Sequence, residues 1–269
     1  MTHKFVESHN SYGTQFSANE IHLWCTKVVN VDSNQNLLSN EDLHRIALFH
    51  REEDRSRVAA GITFLRHLMA GYTGIKPQTL KFTRNCRFCG SHDHGKPRLS
   101  WPSNGPRFNV SHAGNLILIA VSWFDEVGVD VEVLPNGFTG EESAHLVFGP
   151  RELAEFKSQT GEERNSTFGR LWCRKEAFLK AHGLGLGGYP TLVDVSTISP
   201  DVLVAHDPIS KTTFSCHDIE IETPYFAAVV KLGGPSVVRT FLWPSDKSVL
   251  HFQSEFSEDN ITMENDSNE

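Results

Sequence analysis

The sequence predicts an α+β protein in two halves, each combining helix with sheet, joined near Pro135. Three observations predict this. Apolar residues recur at helical spacing through Asn40 to Tyr72 (Leu43, Ile46, Ala47, then Val58, Ile62, Leu65, Leu68 and Met69) and helices return from Ser143 to His182. Runs such as Ile21 to Val31, Leu116 to Trp123 and Val127 to Val133 have the pattern of strands. Pro135 to Gly140 between them has the composition of a linker.

Ser39 or Asn40 opens the first helical stretch with a capping side chain. Arg45, Arg51, Arg55, Arg57 and Arg66 decorate it. Thr79 to Thr83 reads as a short strand and Asn85 to Pro106, rich in Gly, Pro, Cys and His, as loop. Arg107 to Val110 and Leu116 to Trp123 form a hairpin turned through Ala113, Gly114 and Asn115. Ser143 to Phe148, Pro150 to Ser158 and Ser166 to His182 read as helices, the last stopped by Gly183. Tyr189 to Ser199, Val202 to Ala205, Thr212 to Cys216 and Phe226 to Lys231 read as strands. The expected division is an N-terminal extension over 1–20, one α+β lobe over 21–134, a second over 135–250, and an acidic, disordered tail over 251–269.

Composition narrows the function classes. Of 269 residues, 39% are apolar and 22% charged, the balance of a soluble globular chain. The longest apolar stretch, around Leu116 to Phe124, is far shorter than the roughly 20 residues of a membrane helix. The polar start carries no secretory signal, and five cysteines do not make a disulfide framework, so the expected location is cytoplasmic. The net charge is −8, but six acids and no Lys or Arg fall within Phe252 to Glu269, leaving −2 for the body. Such a body lacks the basic excess of a nucleic-acid binder.

Two patterns carry chemistry. Asp130 and Glu132 alternate with Val129, Val131 and Val133, so on a strand the carboxylates share one face roughly 7 Å apart, and the valines face the other way. Such acids repel unless a cation lies between them, and a hard divalent cation with oxygen ligands is the natural partner; an exposed strand face meeting water is the alternative. Glu176 and Lys180 are four apart on a helix, either a surface ion pair or a further metal ligand and a charge for phosphate. Ser111 and His112 are adjacent on a strand, so they face opposite ways and make a poor nucleophile–base dyad; they suit ligand contact better.

In order along the chain stand Gly95-Lys96-Pro97, Phe108-Asn109-Val110-Ser111-His112, Gly128-Val129-Asp130-Val131-Glu132, and Trp172-Cys173-Arg174-Lys175-Glu176-Ala177-Phe178-Leu179-Lys180 followed by Gly183-Leu184-Gly185-Leu186. This ordered set resembles the motifs of the 4′-phosphopantetheinyl transferases, of the larger, two-lobed, surfactin-synthetase-activating type, and spans about Leu43 to Gly188. The resemblance implies two similar α+β lobes related by a pseudo-twofold, with coenzyme A in the cleft between them. It implies transfer of the 4′-phosphopantetheine arm of coenzyme A to a serine of an apo acyl, peptidyl or aryl carrier protein, with release of 3′,5′-ADP, by a monomer. By the same analogy Asp130, Glu132 and Glu176 hold Mg²⁺, and Glu176 is also the base that activates the carrier serine. Lys175 and Lys180 meet phosphate oxygens, Ser111 and His112 lie by the 3′-phosphate or ribose, and Lys96, Arg57 and Arg45 complete the phosphate pocket. The early basic position of some relatives falls near Asp42, so part of that clamp is missing or shifted. The rival readings are another Mg²⁺-dependent enzyme acting on a nucleotide pyrophosphate, and a zinc-stabilised interaction module.

The zinc reading rests on Cys86, Cys89, His92 and His94. The two histidines stand closer than in usual finger spacing, so the expectation is local packing beside Lys96, tolerant of Ser at both cysteines. Gly183 to Gly188 has no Gly-Lys-Ser/Thr and is not a P-loop. Cys173 is expected to be a buried thiol.

Overall fold

The computed structural model describes residues 6–7, 17–28, 37–87, 89–91, 94–188, 190–199 and 204–243. The tail over 251–269 and most of the extension over 1–20 lie outside them. The elements in chain order are β1 (Val6–Glu7), β2 (Glu20–Lys27), α1 (Asn40–Ala47), α2 (Glu52–Thr73), β3 (Lys81–Arg84), β4 (Pro97–Trp101), β5 (Arg107–Ala113), β6 (Leu116–Ser122) and β7 (Val127–Val133). They continue with α3 (Glu141–Val147), α4 (Pro150–Ser158), α5 (Gly161–His182), β8 (Val204–His206), β9 (Thr213–Asp218), β10 (Tyr225–Leu232) and β11 (Val237–Leu242). No helix among the described residues is long and apolar enough to cross a membrane.

The two lobes are built alike. Each lays one 22-residue helix, α2 or α5, on one face of a sheet, and each helix ends at a left-handed glycine, Gly74 (φ 70°) or Gly183 (φ 75°). The first sheet has the order β1-β11-β2-β6-β5 and the second β7-β10-β9-β8, with β3 and β4 as a separate pair. The sheets turn their other faces to each other. Strand alternation makes this possible: Leu23, Leu118, Val127, Val129 and Val131 enter the core between the sheets, while Trp24, Ile117 and Ile119 enter the core beneath α2. Phe168, Leu171, Phe178, Phe214 and Val230 form the core between α5 and the second sheet.

Several elements differ from the sequence expectation. Strands are exchanged across the expected joint: β7, placed by the sequence reading in the first lobe, is the edge of the second sheet. The unexpected β11 runs parallel to β2 in the first sheet. Pro97 to Trp101, expected as loop, is a strand paired with β3. Proline is tolerated there because it is the strand's first residue. The expected strand over Tyr189 to Ser199 is not formed by its described residues. The carbonyls of Pro190, Val193, Val195 and Ile198 accept instead from the side chains of Lys175 and Arg174, and the Val195 amide donates to Glu152. The first long helical stretch breaks in two between Ala47 and Glu52, with Ser39 and Asp42 making a reciprocal cap at its start.

Gly128 sets the distance between α5 and the second sheet. A Cβ there would lie 2.0 Å from the Ala177 carbonyl oxygen and 2.4 Å from the Ala181 amide nitrogen, backbone atoms that cannot swing aside. Gly61, inside α2, has nothing within 4 Å of the same added atom. Gly128→Ala is therefore expected to destabilise by about 3 kcal/mol or more, the upper range of overpacking. Gly61→Ala is expected to stabilise by about 0.5–1 kcal/mol through helix propensity. Urea midpoints of the two variants check both signs.

Candidate active site

Gly128 and the side chains of Asp130 and Glu132 share the face of β7 that α5 covers. Asp130 is almost fully buried and Glu176 is 8% exposed. Lys180, one turn beyond Glu176, places its Nζ 2.5 Å from Asp130 Oδ1 and donates to Ser111 Oγ at 2.9 Å. The pairing is thus Lys180 with Asp130 across the helix–strand contact, rather than the Glu176–Lys180 pair that helical spacing alone allows. Glu132 accepts from Trp172 Nε1 at 3.4 Å. Asp130 Oδ2 and Glu176 Oε1 are buried atoms with no hydrogen-bond partner.

The electrostatics follow from three acids and one base brought together, with Asp130 and Glu176 buried and Glu132 and Lys180 partly exposed. Burial, with Asp130 and Glu132 adding to it against the pull of Lys180, pushes the Glu176 carboxyl up to about 7. Glu132 is raised as well, by burial and then by Asp130. Burial pulls the Lys180 ammonium down, but Asp130, Glu176 and Glu132 outweigh it and hold it above its ordinary range. Cys173 donates to the Phe226 carbonyl and is held well above the usual thiol range by burial and the neighbouring acids, so it is the inert thiol expected.

The donor set suits a hard divalent cation: carboxylate oxygens on two elements, two of them buried without a partner, beside an excess of negative charge. Asp130, Glu132 and Glu176 are the residues that would hold it. They are not drawn tightly together. The group of ligand atoms that lie within 4.8 Å of one another among the described residues is a different one, Cys86, Cys89 and His94. His92 lies outside the described residues.

The remaining expected ligand residues divide in two. His112 lies exposed at the end of the β5 face that packs on α2, and its imidazole is held below the ordinary range by partial desolvation of the ring first, with the Arg57 and Lys180 charges adding to it. Arg57 reaches the same turn, donating to the Gly114 carbonyl and pairing with Asp54. These two share a surface beside Lys180. The polar atoms of Lys175, Lys96 and Ser111 are taken by groups of the protein itself, against the phosphate contacts the resemblance implied. Lys175 is buried, bonded to Glu152 and to the carbonyls of Pro190 and Val193. Being one residue from Glu176, it points about 100° around the helix, into the lobe. Lys96 is buried, its Nζ donating to Glu126 at 2.7 Å and to the carbonyls of Val127 and Ala181. Ser111 Oγ is taken by Asp130, Lys180 and the Val131 amide. Arg45 sits on α1 among Arg84, Asp42 and Glu41, whose charges meet there. Asp42 caps α1 and pairs with the buried Arg66, so it holds no phosphate clamp.

Sequence reasoning missed Asn109. Its Oδ1 accepts from the Val129 amide, as Ser111 Oγ accepts from the Val131 amide, so two side chains of β5 satisfy two amides of β7 and tie the sheets together. The signal was the period-two spacing of Asn109 and Ser111, matching that of Val129 and Val131.

Family models match both lobes: residues 126–235 match the 4′-phosphopantetheinyl transferase superfamily, and residues 23–123 match the N-terminal region of 4′-phosphopantetheinyl transferases. The chain is 36% identical over 175 residues to the 4′-phosphopantetheinyl transferase HetI of Nostoc sp., covering 63% of this chain and 71% of that protein. It is 37% identical over 155 residues to a putative 4′-phosphopantetheinyl transferase of Synechocystis sp., covering 57% and 60%. A 4′-phosphopantetheinyl transferase of Bacillus subtilis is 29% identical over 150 residues, covering 55% and 62%. The chain thus spans less than two thirds of the length of the latter two.

The Lys180–Asp130 pair generates a test of how far the site is desolvated. Lys180→Met is expected to cost about 3 kcal/mol in metal-free protein, because it strands a buried carboxylate. Adding Asp130→Asn should recover most of that loss. A loss under about 1 kcal/mol in urea unfolding, the size of an exposed pair, would show that water reaches Asp130.

Proposed function

The chain belongs to the 4′-phosphopantetheinyl transferase superfamily, and on that premise we propose that it transfers the phosphopantetheine arm of coenzyme A to a serine of an apo acyl, peptidyl or aryl carrier protein. The observation that carries the reading is the covered face of β7, where Asp130 Oδ2 and Glu176 Oε1 are buried without a partner. That arrangement costs stability unless a ligand satisfies it. Magnesium bound there would neutralise pyrophosphate charge and stabilise the departing 3′,5′-ADP.

The protein's own residues do the rest. His112 and Arg57 present positive or donating groups at one surface, suited to the 3′-phosphate or ribose of coenzyme A. Lys180 brings a fixed positive charge to the buried end of the same surface, where the pyrophosphate's charge must be met. Glu176 takes the proton of the carrier serine hydroxyl as its oxygen attacks the phosphorus that bears the pantetheine arm. The bond from that phosphorus to the bridging oxygen breaks, and 3′,5′-ADP leaves. α5 and β7 exclude water, which would otherwise compete with serine as the acceptor.

Coenzyme A and carrier proteins of this kind are intracellular, which is consistent with cytoplasmic work, and the described cysteines are in no disulfide. The two lobes already enclose the site within one chain, which supports a monomer. Hydrolysis of a nucleotide pyrophosphate would use similar ligands, but family membership favours transfer.

The base is tested by Glu176→Gln, which keeps size and removes the proton-accepting carboxylate. The kcat for an apo carrier should fall at least about a hundredfold. Coenzyme A affinity, measured by calorimetry, should fall much less, because Lys180, His112 and Arg57 remain. Unchanged kcat would remove Glu176 from the mechanism.

A further inference from the structure

We propose that the loop between β3 and β4 binds one zinc ion through Cys86, Cys89 and His94, separately from the carboxylate site, as a brace between that loop and the end of α5. The three ligand atoms lie within 4.8 Å of one another, and Cys89 Sγ is 3.2 Å from His94 Nε2. Zinc bonds of about 2.3 Å to sulfur and about 2.0–2.1 Å to nitrogen, at tetrahedral angles, put such ligand atoms about 3.5 Å apart. The cluster therefore has the size of a coordination sphere.

The backbone is shaped to make it. Gly90, at φ 73°, closes the Cys86 to Cys89 turn, its amide donating to the Cys86 carbonyl at 2.8 Å, and the Cys86 amide donates to the Ser91 carbonyl. Gly95, at φ 110°, presses the chain just after His94 onto Cys86: an added Cβ would be 2.7 Å from the Asn85 carbonyl carbon and the Cys86 amide nitrogen. Cys86 is buried, but Cys89 and His94 are exposed, so hydrophobic packing does not account for the contact between a thiol and an imidazole at the surface. Neither cysteine is in a disulfide. Two sulfurs and one imidazole select zinc over the hard cations that suit the carboxylate site. Binding takes a proton from each thiol into solvent and leaves the Zn²⁺, two thiolates and neutral imidazole with no net charge. One coordination position remains beyond the three described ligands.

The loop's neighbours explain what such an ion would do. Arg87 donates to the His182 carbonyl and Lys96 to the Ala181 carbonyl, the last residues of α5. Arg84 donates to the Gly95 carbonyl. A rigid loop thus holds two cations against the C-terminus of the helix that carries Glu176 and Lys180, where helix polarity favours positive charge.

The test uses the full chain purified without chelator, with elemental analysis for zinc and cobalt substitution followed by absorption. One zinc per chain and a thiolate-to-cobalt charge-transfer band are expected. Both should be lost in the Cys86→Ser, Cys89→Ser variant, with zinc affinity falling more than about a hundredfold, beyond what losing a mere supporting contact costs. Chelation should lower the Tm of the wild-type chain and leave that of the variant unchanged. If the double variant does not fold, His94→Gln, at an exposed position, must weaken zinc binding to a similar degree. No zinc and no cobalt–thiolate band in the wild type, or zinc retained by a folded variant, would overturn the proposal. Zinc content and carrier modification are separate readouts, so failure of this proposal leaves the proposed transfer reading standing.

Discussion

The contact between α5 and β7 at Gly128 is the constraint on which the site depends. A helix normally stands off a sheet by the thickness of the side chains between them. Here a glycine on the strand meets the backbone of Ala177 and Ala181, and a second glycine, Gly169 on the helix, makes room for Phe226 on the next strand. With the helix pressed this close, Glu176 and Lys180 lie over Asp130 and Glu132. The same approach removes water from Asp130 and Glu176, which is why burial raises the Glu176 carboxyl, with Glu132 raised beside it, and why two carboxylate oxygens lack partners. Close packing and unmet charge are one fact seen from two sides, and under the proposed function a cation with a phosphate ligand would resolve it.

The helix divides its charged residues by direction. Arg174 and Lys175 turn into the second lobe, where they gather the carbonyls of 190–198 and the acids Asp218 and Glu152. Glu176 and Lys180 turn to β7. The first pair ties the helix to the second lobe, while Lys180 of the second meets Asp130 on β7. At the other side of β7, Asn109 and Ser111 fix the strand edge to the first lobe. The two lobes are therefore tied through the same strand that carries the acids, and Lys96 adds a third tie from the β3–β4 side to the Val127 and Ala181 carbonyls.

Much of this was legible from residue patterns. The alternation of Val127 to Val133 placed Asp130 and Glu132 on one face, and the structure keeps them there. The adjacency of Ser111 and His112 argued against a dyad, and the structure buries one and exposes the other. Helix ends at Ser39 and Gly183 followed from their side chains and backbone freedom. What was not legible was long-range. Nothing in Val237 to Leu242 says that it will return to pair with β2, some two hundred residues earlier in the chain. Nor does a lysine in a motif reveal whether its ammonium faces a cleft or a carbonyl, and so Lys96 and Lys175 were read as phosphate ligands. Sequence reasoning also missed the glycine at 128, a weak spot by strand propensity that the structure shows to be a close approach.

The most direct measurement is the intact mass of a panel of apo carrier proteins incubated with the chain, coenzyme A and Mg²⁺. The account predicts that at least one carrier gains the mass of one phosphopantetheine arm on its serine, that omission of Mg²⁺ abolishes the gain, and that folded Asp130→Ala protein no longer supports it. Modification that proceeds equally well without a divalent cation, or with Asp130→Ala, would contradict the assignment of this face of β7 as the metal and transfer site.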